Sequence, residues 1–164
     1  MPAATEVREA QESDREVLLR FHKSLYQGHR DQVVAAEDLP LIAYRDYDRL
    51  LADDLRALLS DRNSHVLLAE SDGKAVGYIT GKVTVEPRRV LPRKGVVEDW
   101  YVAPEARGAG IGSALLQALE ARFTAADCDV IESATWTSNE GARRVHEALG
   151  FREIRVIYRK RIRR

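Results

Sequence analysis

Cysteine is almost absent from this chain. Cys128 is the only one in 164 residues, which excludes an intrachain disulfide framework and any metal site built on several thiolates. An excess of one charge is missing too. The 26 basic and 26 acidic residues cancel to a formal charge of zero, so no global field draws the protein to nucleic acid or an anionic membrane. No run approaches the roughly 20 apolar residues that span a bilayer. The N-terminal "MPAATEVREAQESDRE" has no apolar centre and does not read as a signal peptide. Internal repeats and low-complexity linkers are lacking as well. What is there is ordinary: 45% hydrophobic and 32% charged residues, enough at this length for one domain, 1–164, with a core that needs no staples. A cytoplasmic enzyme or binding domain is the expectation, with no nucleic-acid and no membrane partner.

Hydrophobic periodicity divides the chain. "EVREA" alternates as a short strand. "ESDREVLLRFHKSLY" reads as a helix capped by Ser13 or Asp14, with Val17, Leu18, Phe21 and Leu25 on one stripe. Residues 28–45 are mixed and read as a loop or broken helix. "DYDRLLADDLRALLSD" is a second amphipathic helix, expected to bury Leu50, Leu51, Leu55, Leu58 and Leu59. Strands follow in "HVLLAES" and "AVGYITGKVTVE", joined by a "DG" hairpin signal, and in "GVVEDWYV". A helix over 110–123, the strand "VIESATW", the helix "NEGARRVHEAL" and a last strand "FREIRVIYRKRI" complete the order β-α-α-β-β-β-α-β-α-β, a mixed α/β architecture.

The most informative stretch is the turn Arg107-Gly108-Ala109-Gly110-Ile111-Gly112 between an apolar strand and a helix. A Walker A loop would end in GK[ST], whereas Gly112 is followed by Ser113-Ala114. A dinucleotide fingerprint would be G-x-G-x-x-G after the first strand of a βαβ unit, and this turn lies deep in the chain. A pyrophosphate cradle remains. Glycines let successive N–H groups converge on oxygens, and the helix start adds its positive dipole end. Arg107 adds a charge-assisted bond. Ile111, Leu115, Leu119 and Phe123 fall on one stripe that anchors the helix to a sheet.

Arg107-x-x-Gly110-x-Gly112 resembles the R/Q-x-x-G-x-G/A acyl-CoA motif of the GNAT superfamily of N-acetyltransferases. About thirty residues on, Asn139-x-x-Ala142-x-x-x-His146-x-x-x-Gly150-Phe151 is similar to that family's N-x-x-A-x-x-x-Y-x-x-x-G-F segment. The order of elements agrees over nearly the whole chain. The resemblance implies a single GNAT-like domain with splayed central strands, "GVVEDWYV" and "VIESATW". Acetyl-CoA would be the donor, with no metal. The pantetheine arm would pair with backbone around Trp100, Tyr101 and Val102, and backbone N–H groups of Arg107, Gly108, Ala109, Gly110, Ile111 and Gly112 would hold the pyrophosphate. Asn139 would bond the pantetheine arm or serve only as a helix cap.

Acetyl transfer needs the acceptor ammonium to lose a proton. With a pKa of about 10, only a small fraction of an alkyl amine is nucleophilic at neutral pH. Glu98 and Asp99 are the carboxylates at hand. Strand alternation sends them to opposite faces, and a local splay near Tyr101 would let both border the cleft. The "EDWYV" run also resembles diamine acetyltransferases of the superfamily. Glu98 is read as base or relay and Asp99 as substrate-binding; the bland alternative is one exposed and one salt-bridged residue. His146 stands where the family carries a tyrosine acid. An imidazolium can protonate the departing thiolate, or the histidine merely packs.

The acidic residues Glu37, Asp38, Asp46, Asp48, Asp53 and Asp54 form a rim or a solvated face, and Tyr44, Tyr47 or Trp136 could line an acceptor pocket. The basic tail "RVIYRKRIRR" fits a last strand better than a nucleic-acid patch. Three functions stand side by side: N-acetyltransfer from acetyl-CoA to a small primary amine, the same chemistry on protein lysines or N-termini, and a silent acyl-CoA-binding module. A homodimer, common in the family, is not readable from the sequence.

Overall fold

The computed structural model describes residues 4–163. They fall into two units, one through Ala134 and one from Thr135 on. The first holds a five-stranded sheet in the order β1 (Thr5–Glu9), β2 (Ser64–Ser71), β3 (Lys74–Val85), β4 (Arg93–Val102), β5 (Val130–Ser133). All neighbours are antiparallel except the parallel pair β4–β5. The β2–β3 turn is the expected hairpin. Asp72 (φ 52°) and Gly73 (φ 73°) are both left-handed, as a two-residue turn between twisted strands requires.

Helices α1 (Arg15–Gly28) and α2 (Tyr47–Ser60) supply one layer. Leu18, Phe21 and Leu55 are buried against Val66, Leu68, Tyr78 and Tyr101 of the strands, with Val17 and Leu25 packed on that cluster. Between the two helices the chain is a broken helix. A π-turn, His29–Val33, continues α1, and a 3-10 turn runs over Ala36–Leu41. Asp14 precedes α1 but does not cap it. Its carboxylate accepts from both Nη atoms of Arg8 at 2.8 and 3.0 Å and from the Gln11 amide at 2.8 Å, which ties β1 to the helix start. Leu50, expected in the core, is 42% exposed. It sits off the Leu51–Leu55 line and lines a cavity instead.

Helix α3 (Ile111–Ala125) packs on the opposite face, and its whole predicted stripe is buried. Close approach is possible because the strands carry glycine there. A Cβ at Gly95 would lie 2.2 Å from Cδ2 of Phe123, and one at Gly81 would lie 2.6 Å from its Cζ. The β4–β5 ladder ends at the pair Val97–Ser133 while β4 runs on to Val102, which is the expected splay of the central strands.

The second unit contains α4 (Glu140–Ala148). The helix stops at Gly150, whose φ of 88° is the left-handed terminus that glycine allows. One expected element is not formed: residues 151–163 carry no strand. Alternating Ile and Arg is a half-buried strand pattern, but a strand holds only where a neighbour takes its backbone hydrogen bonds. Ile154, Ile157 and Tyr158 are exposed.

Candidate functional site

Register between β3 and β4 decides what the first unit can do. Thr80 pairs with Asp99 and Gly81 with Val97, so Glu98 is the extra residue of a β-bulge. A bulge reverses the inside–outside alternation beyond it. Gly95, before it, faces α3, while Asp99 and Tyr101, after it, face α1 and α2. Glu98 and Asp99 therefore border the same cavity, and the sharing that alternation forbids comes from a bulge at Glu98 itself rather than from a splay near Tyr101. The cavity measures about 660 Å³, within the usual range for a small-molecule site.

Its wall is acidic and aromatic. Asp54, Asp61, Glu98 and Asp99 line it against a single lysine, Lys82, which already pairs with Asp61 at 3.3 Å. Of the acidic residues proposed as a rim, only Asp54 is among the lining residues. Tyr44 and Tyr47 are there as expected, Tyr47 stacked on Tyr26 at 4.3 Å between ring centres. Burial raises the pKa of Asp99, partly opposed by His22, Thr80 and His29. Burial and then the neighbouring Asp99 raise that of Glu98, with Lys82 pulling the other way. Both carboxyl groups are thus better proton acceptors than free ones.

Three groups around Asp99 were not singled out in the sequence. Thr80, 1% exposed, accepts from the Asp99 amide at 3.0 Å and donates to Asp99 Oδ2 at 3.4 Å. His22 of α1 places Nε2 3.6 Å from the same oxygen and Nδ1 3.0 Å from the Tyr47 hydroxyl. The Tyr78 hydroxyl is buried and has no hydrogen-bond partner among the described residues. His22 had left a trace: it lies four residues after Leu18, on the buried stripe of its helix, where a polar residue needs a reason. Tyr78 and Thr80 alternate as any half-buried strand would, and only the register shows their neighbour.

The glycine turn has the form a pyrophosphate needs. After a short 3-10 turn (Pro104–Ala106), Gly108 and Gly110 adopt φ of 80° and 79°, and nothing lies within 4 Å of where their Cβ atoms would stand. Helix α3 then starts at Ile111 with no side-chain cap, leaving its first N–H groups and positive dipole end for an anion. Arg107 is held at the turn by a bond from Nε to the Val102 carbonyl at 3.0 Å. Trp100 stands over the start of α3, its Nε1 3.6 Å from the Cβ position of Gly112. Acetyl-CoA fits these residues: glycine backbone, an open helix start and one guanidinium.

In the second unit, Asn139 caps α4, its Oδ1 accepting from the Ala142 amide at 3.1 Å. His146 Nδ1 lies 2.6 Å from the Ala142 carbonyl. A carbonyl only accepts, so Nδ1 carries a proton. Its ring meets Phe151 edge-on at 5.2 Å. The N-x-x-A-x-x-x-H spacing is thus a helix cap followed by one more turn. Trp136 lies beyond the end of β5, not on it. Among the described residues no group of three or more His, Cys, Asp or Glu side chains could hold a metal.

The model of the acetyltransferase (GNAT) family matches residues 24–151. The chain belongs to that family. Aminoglycoside N(6')-acetyltransferase type 1 of Stenotrophomonas maltophilia is 34% identical over 111 residues, covering 65% of this chain and 72% of that protein. The enzyme of the same description from Salmonella typhimurium is 28% identical over 145 residues, 86% of this chain and 88% of the relative. Among solved structures, aminoglycoside acetyltransferase AAC(6')-Iy with a CoA–acetylneamine bisubstrate analogue aligns with a TM-score of 0.75 at 26% identity, over 97% of this chain and 99% of the other. This GNAT protein is an N-acetyltransferase, and acetyl-CoA is its donor. No described helix is long and apolar enough to cross a membrane.

Proposed function

We propose that this acetyltransferase moves the acetyl group of acetyl-CoA directly onto a primary amine of a small cationic molecule of the aminoglycoside kind. The observation that carries the reading is the cavity of the first unit, where four carboxylates face one lysine beside a tyrosine wall. Such a lining favours a compact cation with ring or hydroxyl surface to lay on the tyrosines. The activities of the relatives in S. maltophilia and S. typhimurium support it. The whole chain, 1–164, acts as one acyl-CoA-binding domain in the cytoplasm, a reading supported by the long match to the family.

In the reaction, Asp99 draws the acceptor ammonium and Glu98 takes its proton directly or through water. The freed amine forms a C–N bond to the acetyl carbonyl carbon, the added nitrogen gives its second proton to water, the tetrahedral oxyanion collapses with cleavage of the C–S bond, and the CoA thiolate takes a proton from His146, which regains one from solvent. Backbone of Trp100 to Val102 holds the pantetheine arm and Asn139 bonds it. Amides of Arg107 to Gly112 hold the pyrophosphate.

The test is free-thiol release from acetyl-CoA against a panel of aminoglycosides, polyamines, amino acids and lysine or N-terminal peptides. Release with aminoglycosides or another small polycation supports the reading. Release with peptides alone transfers it to protein acetylation. No release with any amine, while acetyl-CoA raises the melting temperature, leaves a silent binding module.

A further inference from the structure

Asp99 is held by side chains from two elements, one of which is itself held from a third. Thr80 on β3 fixes the carboxylate from below through the Asp99 amide and Oδ2. From α1, His22 points Nε2 at the same Oδ2, 3.6 Å away. From α2, the Tyr47 hydroxyl holds the far nitrogen, Nδ1, at 3.0 Å. A carboxylate only accepts, so the Nε2 contact is attractive when Nε2 carries the proton. In the neutral ring Nδ1 then accepts from the Tyr47 hydroxyl. The Tyr47 hydroxyl thus orients the ring, and Nε2 faces the carboxylate at 3.6 Å, an electrostatic contact longer than a hydrogen bond. Tyr47 is in turn immobilised by its stack on Tyr26. Oδ1 of Asp99 has no hydrogen-bond partner among the described residues, and Asp99 lines the cavity.

We propose that His22 is a positioning residue of the acceptor site: held by Tyr47, it keeps Oδ2 of Asp99 engaged so that Oδ1 is presented to the acceptor ammonium. The proposal rests on the acceptor reading above and adds to it a residue outside the family's two motifs. The arrangement follows the logic by which an oriented imidazole is worth more than a free one, because the aim of the carboxylate is set before the ligand arrives. A histidine here also avoids the cost of a permanent cation. An arginine or lysine beside Asp99 would satisfy the carboxylate and repel the ammonium that the cavity is to receive.

Steady-state kinetics on the full chain test this, with the best amine of the panel as varied substrate and then acetyl-CoA. His22→Ala is expected to raise the amine KM about tenfold, with kcat within threefold and the acetyl-CoA KM within twofold. His22→Gln keeps a donor nitrogen near the Nε2 position and is expected to recover most of the loss. Tyr47→Phe, which removes the anchor alone, should give a smaller rise of the same kind. In an Asp99→Asn background, His22→Ala should add nothing further. Unchanged amine KM in both His22→Ala and Tyr47→Phe, or an equal rise in the acetyl-CoA KM, overturns the proposal. So does an undiminished effect of His22→Ala in the Asp99→Asn protein. Should His22→Ala fail to fold, the Gln and Phe variants decide alone. A wild type that turns over the amine while the variants match it overturns only His22's role; a wild type that releases thiol with no amine overturns the acceptor reading and the proposal together.

Discussion

The two faces of β4 are built on opposite principles. Toward α3 the strand offers glycine, and the helix lies so close that Phe123 occupies the space a Cβ at Gly95 would take. Toward α1 and α2 the same strand offers Asp99 and Tyr101, and a cavity of about 660 Å³ remains between them and the helices. The first face is rigid because it is apolar and dense; density at crystal-like packing transmits strain and admits no second arrangement. The second keeps titratable groups half-buried at a cost to stability. The glycine turn proposed to hold the donor grows out of the rigid face, since α3 begins at that turn. On the proposed reading, the dense face fixes the donor and the charged cavity leaves room for the acceptor.

The largest effect expected from breaking this contrast is on the rigid face. Gly95→Ala places a methyl inside the Phe123 ring, and overpacking of that kind costs about 3 kcal/mol. For a chain of this size that lowers the melting temperature by roughly 6–12 °C. Combining it with Phe123→Leu should recover part of the loss, because the two residues contend for one volume and their effects do not add. Thermal unfolding of the two singles and the double checks this. Additive losses would show that the contact at Gly95 is not what limits the packing.

How much of this contrast could be read in the sequence depends on which face is considered. The α3 stripe was fully legible, since Ile111, Leu115, Leu119 and Phe123 repeat at helical spacing and all are buried. The glycine turn was legible because φ values near 80° leave little choice of residue. The cavity face was legible only in its ingredients. Glu98 and Asp99 stood out as carboxylates in an apolar strand, but a period-two pattern assigns them to opposite sides, and no local signal marks the bulge that brings them together. His22 and Tyr78 depend on register and on the meeting of three separate elements, which no window of sequence contains. The final strand failed for a related reason. Its alternation over 151–162 is a property of the segment, whereas a ladder is a property of a pair.

Next in size is Asp99, the carboxylate proposed to receive the acceptor. Asp99→Asn keeps the shape and removes the charge. It should lower kcat/KM for the amine by roughly 10- to 100-fold, the worth of a charge-assisted bond of about 1.5–3 kcal/mol. Stability should move the other way. Burial raises the folded pKa of Asp99 above its ordinary value of 3.8, so the fold is more stable with this group protonated. That contribution is fully present below pH 3.8 and is lost as pH rises through the raised pKa. The asparagine variant should therefore melt above wild type at pH 7, with the gap closing in acid. A variant less stable than wild type at pH 7 would mean that Asp99 is a structural anion, as firmly used as anything on the α3 face.

A smaller effect is expected at the glycine turn proposed to hold the donor. Gly110→Ala meets no neighbour, since nothing stands within 4 Å of its Cβ position, but it must hold φ near 79°. The left-handed conformation costs alanine about 1–2 kcal/mol. The amides of the turn should then be less well arranged, raising the acetyl-CoA KM several-fold while the amine KM stays within twofold. Paired with Asp99→Asn, whose loss is confined to the amine, this gives a donor-only and an acceptor-only defect. Cross-effects in both would show that the two faces of β4 are not independent.

The smallest effect sharpens the comparison most. The Tyr78 ring is packed between Phe21 and Tyr101, 6.1 and 6.3 Å away between centres, much as an α3-side residue would be. Its hydroxyl, however, is buried without a hydrogen-bond partner among the described residues. Burial, and the nearby Asp99 charge after it, push its pKa well above the ordinary range, so the phenol stays neutral and keeps its proton to donate. Replacing an unsatisfied buried hydroxyl by hydrogen at constant shape removes a desolvation cost, so Tyr78→Phe should stabilise the ligand-free protein by about 1 kcal/mol. If the phenol serves the acceptor, the same variant should raise the amine KM two- to threefold. Stability and acceptor affinity then trade off at a single oxygen, which is the expected mark of a face kept unsatisfied for a ligand. A destabilised phenylalanine variant would instead place the hydroxyl in the folded state's own hydrogen-bonding, and the cavity face would be as self-contained as the face that meets α3.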